Sequence, residues 1–133
     1  MKYIAHRRFK GRAACGDVNI PAMTELYLKD NVIYYEEYPI CYFSSENAKQ
    51  YFTVNEDGQG MLRGKLTQAI QKKLAIRDEN YQNRWNKIWE DNLCVKKYKR
   101  KDSGENYFLW DTEFFNAPIL DLQHIASLID VKV

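Results

Sequence analysis

The fold is decided by residues 26–43, which read LYLKDNVIYYEEYPICYF. Two short apolar and aromatic runs, residues 26–28 and 32–35, flank residues 29–31, whose side chains tolerate the left-handed backbone of a hairpin turn. A second turn then leads into a third apolar run at residues 40–43. The stretch therefore predicts short antiparallel strands joined by tight turns.

The chain before this stretch has the same character. Residues 2–9 alternate between two faces in the way that a strand does. Residues 10–12 predict a short turn and residues 13–20 a second strand, which Pro21 ends. Together with the strands that follow, the sequence predicts an antiparallel β-meander or an SH3-like half-barrel of four or five strands.

Helical spacing replaces strand alternation after residue 43. Ser45 is an N-cap signal for a short helix, and residues 55–60 have the composition of a turn-rich loop. Apolar stripes at helical spacing predict three further helices, which cover residues 61–76, residues 78–90 and a segment opened by Pro118. The aromatic face of the second of these, which holds two tryptophans, is expected to be core rather than an exposed stacking platform.

The expected fold class is α+β, with the meander or half-barrel packed against three to four C-terminal helices. Residues 1–43 are expected to be mainly strands, and residues 44–133 mainly helices with a basic loop near residues 95–106. The chain has 133 residues, a common size for one domain, so we expect a single α+β domain over residues 1–133.

The cysteines and the hydropathy indicate a compartment. Cys15, Cys41 and Cys94 are odd in number and far apart, which favours reduced thiols in a cytosol over a disulfide framework. The sequence has neither an apolar run of about 18 residues, as a membrane span needs, nor the apolar core of a signal peptide. We therefore expect a cytoplasmic protein with no membrane partner.

Basic residues are concentrated in three blocks. Residues 1–12, 61–77 and 95–101 each hold five lysines and arginines and no acid, whereas residues 13–60 hold eight acids and two lysines. Basic clusters bind phosphates and an embedded tyrosine stacks on a base, so the blocks predict a nucleic-acid site. The predicted contact residues are Arg7, Arg8, Lys96, Lys97, Tyr98, Lys99 and Arg100. The alternative for the third block is a solvated loop, or a patch neutralised by the acidic segments.

A second candidate site is the loop and helix start at residues 55–65, NEDGQGMLRGK. Glycines ahead of a helix expose backbone N–H groups to an anion, and basic side chains add charge. The predicted anion-binding residues are Asn55, Asp57, Gly58, Gly60, Arg63 and Lys65. The spacing departs from the Walker A loop, the dinucleotide fingerprint and the EF-hand. The alternative is a loop whose glycines permit positive φ.

Metal-binding and nucleophilic residues follow no known pattern in this sequence. His6, His124 and the three cysteines have neither the Cys-x-x-Cys nor the His-x-x-x-His spacing of a local metal site. A cysteine in a predicted strand is usually an inert buried thiol, and no serine has a nucleophile-elbow context. We predict no metal, no cofactor and no catalytic residue, and expect binding rather than enzymatic activity.

Several segments resemble a known group of proteins. Residues 14–21 (ACGDVNIP), 45–48 (SENA) and 55–71 are similar to segments of small uncharacterised proteins of phages and prophages from low-GC Gram-positive bacteria. The similarity extends along most of the chain, into the tryptophan-containing helix and residues 114–117. No activity is assigned to that group. The resemblance therefore implies a setting, the bacterial cytoplasm during phage carriage, and no site residue.

The leading functional interpretation is a non-enzymatic phage or mobile-element accessory protein that binds nucleic acid. A second is an interaction module for a host or phage protein, in which patches of opposite charge set the orientation. A third is an enzyme that uses an anion or phosphate site at residues 55–65. A fourth is a self-associating structural protein.

Overall fold

The computed structural model describes residues 1–13, 15–98 and 112–133. Its secondary structure confirms the α+β class, because strands dominate the first part of the chain and helices follow. Two compact units divide the chain, Met1–Gly64 and Lys65–Val133. The expectation of a single domain stays a prediction.

Among the described residues, the first unit holds seven strands, β1 to β7. They cover Lys2–Ala5, Phe9–Ala13, Gly16–Ile20, Glu25–Lys29, Val32–Tyr35, Tyr38–Tyr42 and Phe52–Val54. Five of them form one antiparallel sheet in the order β6-β5-β4-β1-β7, and β2 pairs with β3 in a separate two-stranded ribbon. The predicted antiparallel meander is confirmed, and in the described part of the chain the sheets close no barrel.

The β4–β5–β6 meander forms from residues 26–43, as their pattern predicts. Asp30 and Asn31 make the two-residue turn between β4 and β5, with φ of 53° and 67°. Both residues thus adopt the left-handed conformation that a tight hairpin requires. Strand alternation then buries Ile33 in the core and turns Tyr34 to the opposite face of the sheet.

The β2–β3 ribbon corrects one prediction. Residues 10–12, expected to be a turn, lie inside β2, and the chain reverses after Ala13 instead. Gly16, at φ 116°, adopts a conformation that is costly for other residues. Gly11 resembles a turn residue in the sequence but serves packing in the strand, because a Cβ there would lie 3.3 Å from the ring of Phe9.

The core of the first unit joins the strands to helix α1, Glu46–Tyr51. Its buried residues are Tyr3, Ala5, Phe9, Ile20, Leu26, Ile33, Ile40, Ala48 and Phe52. Ser45 caps α1 as predicted, since its hydroxyl accepts the backbone N–H of Ala48 at 3.2 Å. Strand β7 follows α1 directly, and its three residues are too few to show a period in the sequence.

The described residues contain four further α-helices. Helices α2 to α5 span Gly60–Leu74, Tyr81–Glu90, Thr112–Phe115 and Ile119–Leu128, and a π-helical turn covers Cys94–Tyr98. The stripes predicted for α2 and α5 are confirmed, because Leu66 and Ile70 of α2 and Leu122 of α5 are buried. Within the described ranges, no helix combines the length and the apolar character that crossing a bilayer requires.

Helix α3 buries part of the face predicted for it and adds Arg84 to that face. Ile88 is fully buried, but the residue one turn before it is Arg84, at 7% exposure, whereas Trp85 and Trp89 are half-buried. Arg84 tolerates burial because its guanidinium binds the carboxylate of Asp78 at 2.9 Å and the carbonyl oxygen of Ile76 at 2.6 Å. The two tryptophan rings lie side by side, with centroids 5.8 Å apart.

Candidate functional site

In the loop predicted to bind an anion, side-chain and carbonyl oxygens of the loop itself accept its backbone N–H groups. The side-chain oxygen of Asn55 accepts the N–H of Gly60 at 2.8 Å, and its carbonyl oxygen accepts the N–H of Gly58 at 3.1 Å. A carboxylate oxygen of Asp57 accepts the N–H of Gln59 at 3.0 Å. Three backbone N–H groups near the start of α2 are therefore bonded within the loop, and Gly58 supplies the positive φ of 73°.

Arg63 is a predicted anion ligand that the structure buries. The residue is 2% exposed, and its guanidinium pairs with both carboxylate oxygens of Asp57. The same group donates to the carbonyl oxygen of Val54 at 2.6 Å. The hydrogen bond from Arg63 holds the pKa of Asp57 below its usual range. This ion pair fastens the loop to the first turns of α2.

Gly60 and Gly64 allow α2 to approach β1 closely. A Cβ on Gly60 would overlap the side chain of Ile4, and a Cβ on Gly64 would overlap the ring of His6. The hydroxyl of Thr53 donates to the carbonyl oxygen of Gly60 at 2.8 Å, which adds a polar contact at the same point. Both glycines therefore serve packing, while Gly58 serves the turn.

His6 lies buried under this contact. Burial lowers its pKa from 6.5 to about 4, so the ring is neutral at pH 7. Its Nε2 lies 2.8 Å from the carbonyl oxygen of Gln50, an acceptor, so Nε2 carries the proton and donates. Nδ1 is buried and has no hydrogen-bond partner among the described residues.

Five of the six residues predicted to bind an anion lie in the first unit, where they contact one another in pairs. Lys65 belongs to the second unit and is exposed. An anion that bound to Arg63 would compete with Asp57 for its guanidinium. Anion binding at residues 55–65 stays a prediction.

The basic residues of the N-terminal block lie on the β2–β3 ribbon and at its base. Lys10 and Arg12 alternate with the buried Phe9 on β2 and are exposed, opposite Asn19 and Asp17 of β3. Residues 7–13 and 16–20 together hold four bases and one acid. A surface depression of about 390 Å³ is lined by Lys10, Gly11, Arg12, Asp17, Val18 and Asn19.

Arg7 and Arg8, at the base of the ribbon, are exposed and held by uncharged partners. Arg8 donates to the side-chain oxygen of Asn19 at 2.9 Å. Arg7 lies over the ring of Tyr51, 4.2 Å from its centroid, and donates to the backbone and side-chain oxygens of Gln50 at 2.9 and 3.0 Å. Because these partners carry no charge, they leave the positive charge of both guanidinium groups uncompensated.

The third basic block has a different arrangement. Lys96 and Lys97 are exposed on the π-helical turn, and Lys97 pairs with Asp121 at 3.3 Å. Tyr98 is buried, and its hydroxyl donates to Asp121 at 2.6 Å. The residue is 8% exposed, and the stacking role predicted for it stays a prediction. The other predicted residues of this block, Lys99 and Arg100, lie outside the described residues.

An exposed tyrosine surface was not predicted from the sequence. Tyr27 of β4, Tyr34 of β5 and Tyr42 of β6 lie on the side of the sheet opposite the core, and we call them the tyrosine face. Tyr27 is 42% exposed and Tyr42 66%. The available signal was the strand alternation, because a tyrosine next to a core residue such as Leu26 or Ile33 points to the other side.

One carboxylate, that of Asp91, contacts both Cys94 and His124. Cys15 is exposed and Cys94 is buried, and His124 lies with its Nε2 2.8 Å from a carboxylate oxygen of Asp91. Among the described residues, no three histidine, cysteine, aspartate or glutamate side chains come together as a metal site requires.

Comparison of the chain with protein-family models, with curated proteins and with solved structures finds no match to any of the three.

Proposed function

We propose that this chain is a non-enzymatic nucleic-acid-binding protein and that the β2–β3 ribbon contacts the phosphate backbone. The observation that carries the proposal is an exposed basic surface, the ribbon surface, formed by Arg7, Arg8, Lys10 and Arg12. A two-stranded antiparallel ribbon has dimensions that the major groove of B-DNA admits. Lysine and arginine bind phosphates by releasing condensed counterions, so the binding depends steeply on salt.

The resemblance of residues 14–21 and 55–71 to phage and prophage proteins supports a setting for this activity. We propose an accessory role in the bacterial cytoplasm during carriage of a phage or mobile element. The ribbon surface is suited to such a role because phosphate contacts recognise nucleic acid of any sequence.

The test is fluorescence anisotropy with labelled duplex DNA, single-stranded DNA and RNA of about 20 nucleotides, at about 50 mM and about 200 mM salt. We expect duplex DNA to bind, with an affinity that falls steeply with salt. The variant Arg8→Ala/Lys10→Ala/Arg12→Ala is expected to bind about tenfold more weakly at the lower salt concentration. Its salt slope is expected to fall by about one for each phosphate that the variant no longer neutralises.

A matched control removes the same charge from exposed lysines of α2 and α3, in the variant Lys65→Ala/Lys72→Ala/Lys87→Ala. It is expected to change the affinity by about twofold or less, because none of these lysines belongs to the ribbon surface and salt screens a general effect of net charge. The variant Lys96→Ala/Lys97→Ala tests the third basic block in the same assay. Equal losses of affinity in the ribbon and control variants would show that binding depends on net charge and not on the ribbon surface. An absence of binding at the lower salt concentration would refute the proposal.

A further inference from the structure

The tyrosine face is aromatic and open to solvent. Tyr27 and Tyr34 oppose each other on β4 and β5, on the side of the sheet away from the core. Tyr42 opposes Val32 on the same side and is 66% exposed. Tyrosine is enriched in protein interfaces because one side chain supplies a large contact area and a hydroxyl at small entropic cost.

Two of these rings form a flat platform. Tyr27 and Tyr34 stack with their centroids 5.4 Å apart and an angle of 14° between the ring planes. Cross-strand pairing holds both residues in register, so little side-chain freedom is lost when a partner binds. A partner therefore meets an aromatic surface that is already ordered.

Carboxylates outnumber lysines around the tyrosine face. Four exposed carboxylates and two lysines lie on β4, on the turns of the meander and on the neighbouring strand β1: Glu25, Asp30, Glu36 and Glu37, with Lys29 and with Lys2 opposite Tyr27. Three of the carboxylates lie at one end of the meander, where β4 begins and where β5 turns into β6. This border disfavours the phosphates of a nucleic acid and favours a cationic partner.

Arginine suits an aromatic surface bordered by carboxylates. Its guanidinium stacks flat on a tyrosine ring and donates to a carboxylate at the same time, whereas the lysine ammonium is a compact charge without a flat face. Within the described ranges, an arginine lies over a tyrosine ring at two other places. Arg7 lies 4.2 Å from the ring centroid of Tyr51, and Arg77 lies 4.4 Å from that of Tyr81.

We propose that the tyrosine face binds an arginine-rich segment of a partner protein. Arginines of the segment stack on Tyr27, Tyr34 and Tyr42, and their N–H groups donate to the carboxylates at the 25 and 36–37 end of the meander. An extended segment of about six residues, at about 3.3 Å per residue, crosses three strands about 4.8 Å apart and reaches this end. The residues are distinct from those of the ribbon surface, so the two binding activities can be removed separately.

The probe is a fluorescein-labelled peptide of alternating arginine and glycine, compared with the same peptide carrying lysine in place of arginine. We expect the arginine peptide to bind about fivefold more tightly, because a guanidinium stacks flat on a tyrosine ring while it donates to a carboxylate, and a lysine ammonium does not. The variant Tyr27→Thr/Tyr42→Thr keeps the strand propensity and removes two of the three rings, so it is expected to reduce this preference to less than about twofold. The variant Glu25→Gln/Glu37→Gln is expected to weaken the binding of both peptides.

The control variant Ile76→Ser/Leu120→Ser removes two exposed apolar side chains of the second unit, at 43% and 78% exposure, and is expected to leave peptide binding unchanged. Circular dichroism of every variant confirms that it is folded. Equal affinity of wild type for the two peptides would overturn the proposal. So would binding of single-stranded DNA that depends on Tyr27 and Tyr42, or self-association that the tyrosine variant abolishes, because each assigns the face to another occupant.

Discussion

Arg63 and Asp57 form a bidentate ion pair at the start of α2, and the guanidinium also donates to the carbonyl oxygen of Val54. The arginine side chain is 3% exposed and the aspartate side chain 48%, so the pair is buried at its cationic end and open to solvent at its anionic end. The carboxylate compensates the positive charge that the fold buries. The stability of this part of the fold should therefore depend on the carboxylate and on pH.

Asp57→Asn is expected to lower the free energy of unfolding by about 2 kcal/mol, because a hydrogen bond to a charged group contributes about 1.5–3 kcal/mol. Urea unfolding at pH 7 measures the change. Glu37→Gln, in an exposed turn, is the matched control and is expected to change stability by less than about 0.5 kcal/mol. A similarly small change in Asp57→Asn would show that Arg63 does not need this carboxylate.

The same pair makes stability depend on acid pH. The pKa of Asp57 is lowered in the folded chain by the hydrogen bond from Arg63, so the unfolded chain takes up this proton first as the pH falls. The contribution is complete above the ordinary aspartate pKa of about 3.9 and is lost as the pH falls through the folded pKa. Urea titrations at a series of acid pH values should show a shallower loss in Asp57→Asn, and identical slopes would contradict this.

His6 is expected to add a pH dependence at milder acidity. Its pKa is about 4 in the folded chain against an ordinary 6.5, so the unfolded chain binds the proton first. The contribution of His6 to the free energy of unfolding should be complete above about pH 7, decline as the pH falls towards 4 and then level off. The total loss should be roughly 3 kcal/mol. His6→Gln keeps a donor for Gln50 and should remove the decline, whereas His124→Gln should keep it. A decline that persists in His6→Gln would assign it to other groups.

Gly64→Ala is expected to destabilise the protein, against the usual trend in helices. Alanine inside a helix is favoured over glycine by about 1 kcal/mol, but here the new Cβ would overlap the ring of His6. The expected loss is about 2 kcal/mol from overpacking. Thermal unfolding of Gly64→Ala, His6→Ala and the double variant tests the contact, because the double variant should lose less than the sum. Strict additivity would mean that the two residues do not interact.

The three thiols are expected to react in order of exposure. Cys15 is exposed, Cys41 is half-buried and Cys94 is buried, and burial raises the pKa of the Cys94 and Cys41 thiols. A disulfide reagent at pH 8, followed by mass spectrometry, should label Cys15 first and Cys94 only in denaturant. Cys15→Ser should remove the fast phase. Rapid labelling of Cys94 in the native protein would contradict the burial of this thiol.

The elements that sequence reasoning predicted are those whose causes are local. The turn at Asp30 and Asn31 depends on two residues that tolerate positive φ, and the cap at Ser45 depends on an N–H three residues away. Strand β7 and the β2–β3 register escaped prediction for a physical reason. Residues 52–54 form a strand because they pair with β1, about 50 residues earlier in the chain, and no short window of sequence contains that partner.

The candidate sites show the same division. Residues 55–65 were predicted to bind an anion because of their glycines and charges. The burial of Arg63 was not predicted, because it depends on the carbonyl oxygen of Val54 and the carboxylate of Asp57, which accept its hydrogen bonds only in the folded chain. Tyr98 was predicted to stack on a base because it lies within a basic block. In the fold its hydroxyl donates a hydrogen bond to Asp121 of α5, a residue 23 positions later in the chain. The ribbon surface was predicted in part, through Arg7 and Arg8, although Lys10 and Arg12 were assigned to a turn.

The sequence by itself determined the α+β class, the turn at Asp30 and Asn31, the cap at Ser45 and the separation of basic from acidic segments, because each depends on residues a few positions apart. Only the tertiary structure decided which polar side chains are buried and hydrogen-bonded inside the fold and which tyrosines face solvent. Arg63 and Tyr98 are buried while Tyr27 and Tyr42 are exposed. Burial is a property of contacts between residues far apart in the chain, and those contacts form only when strands and helices pack.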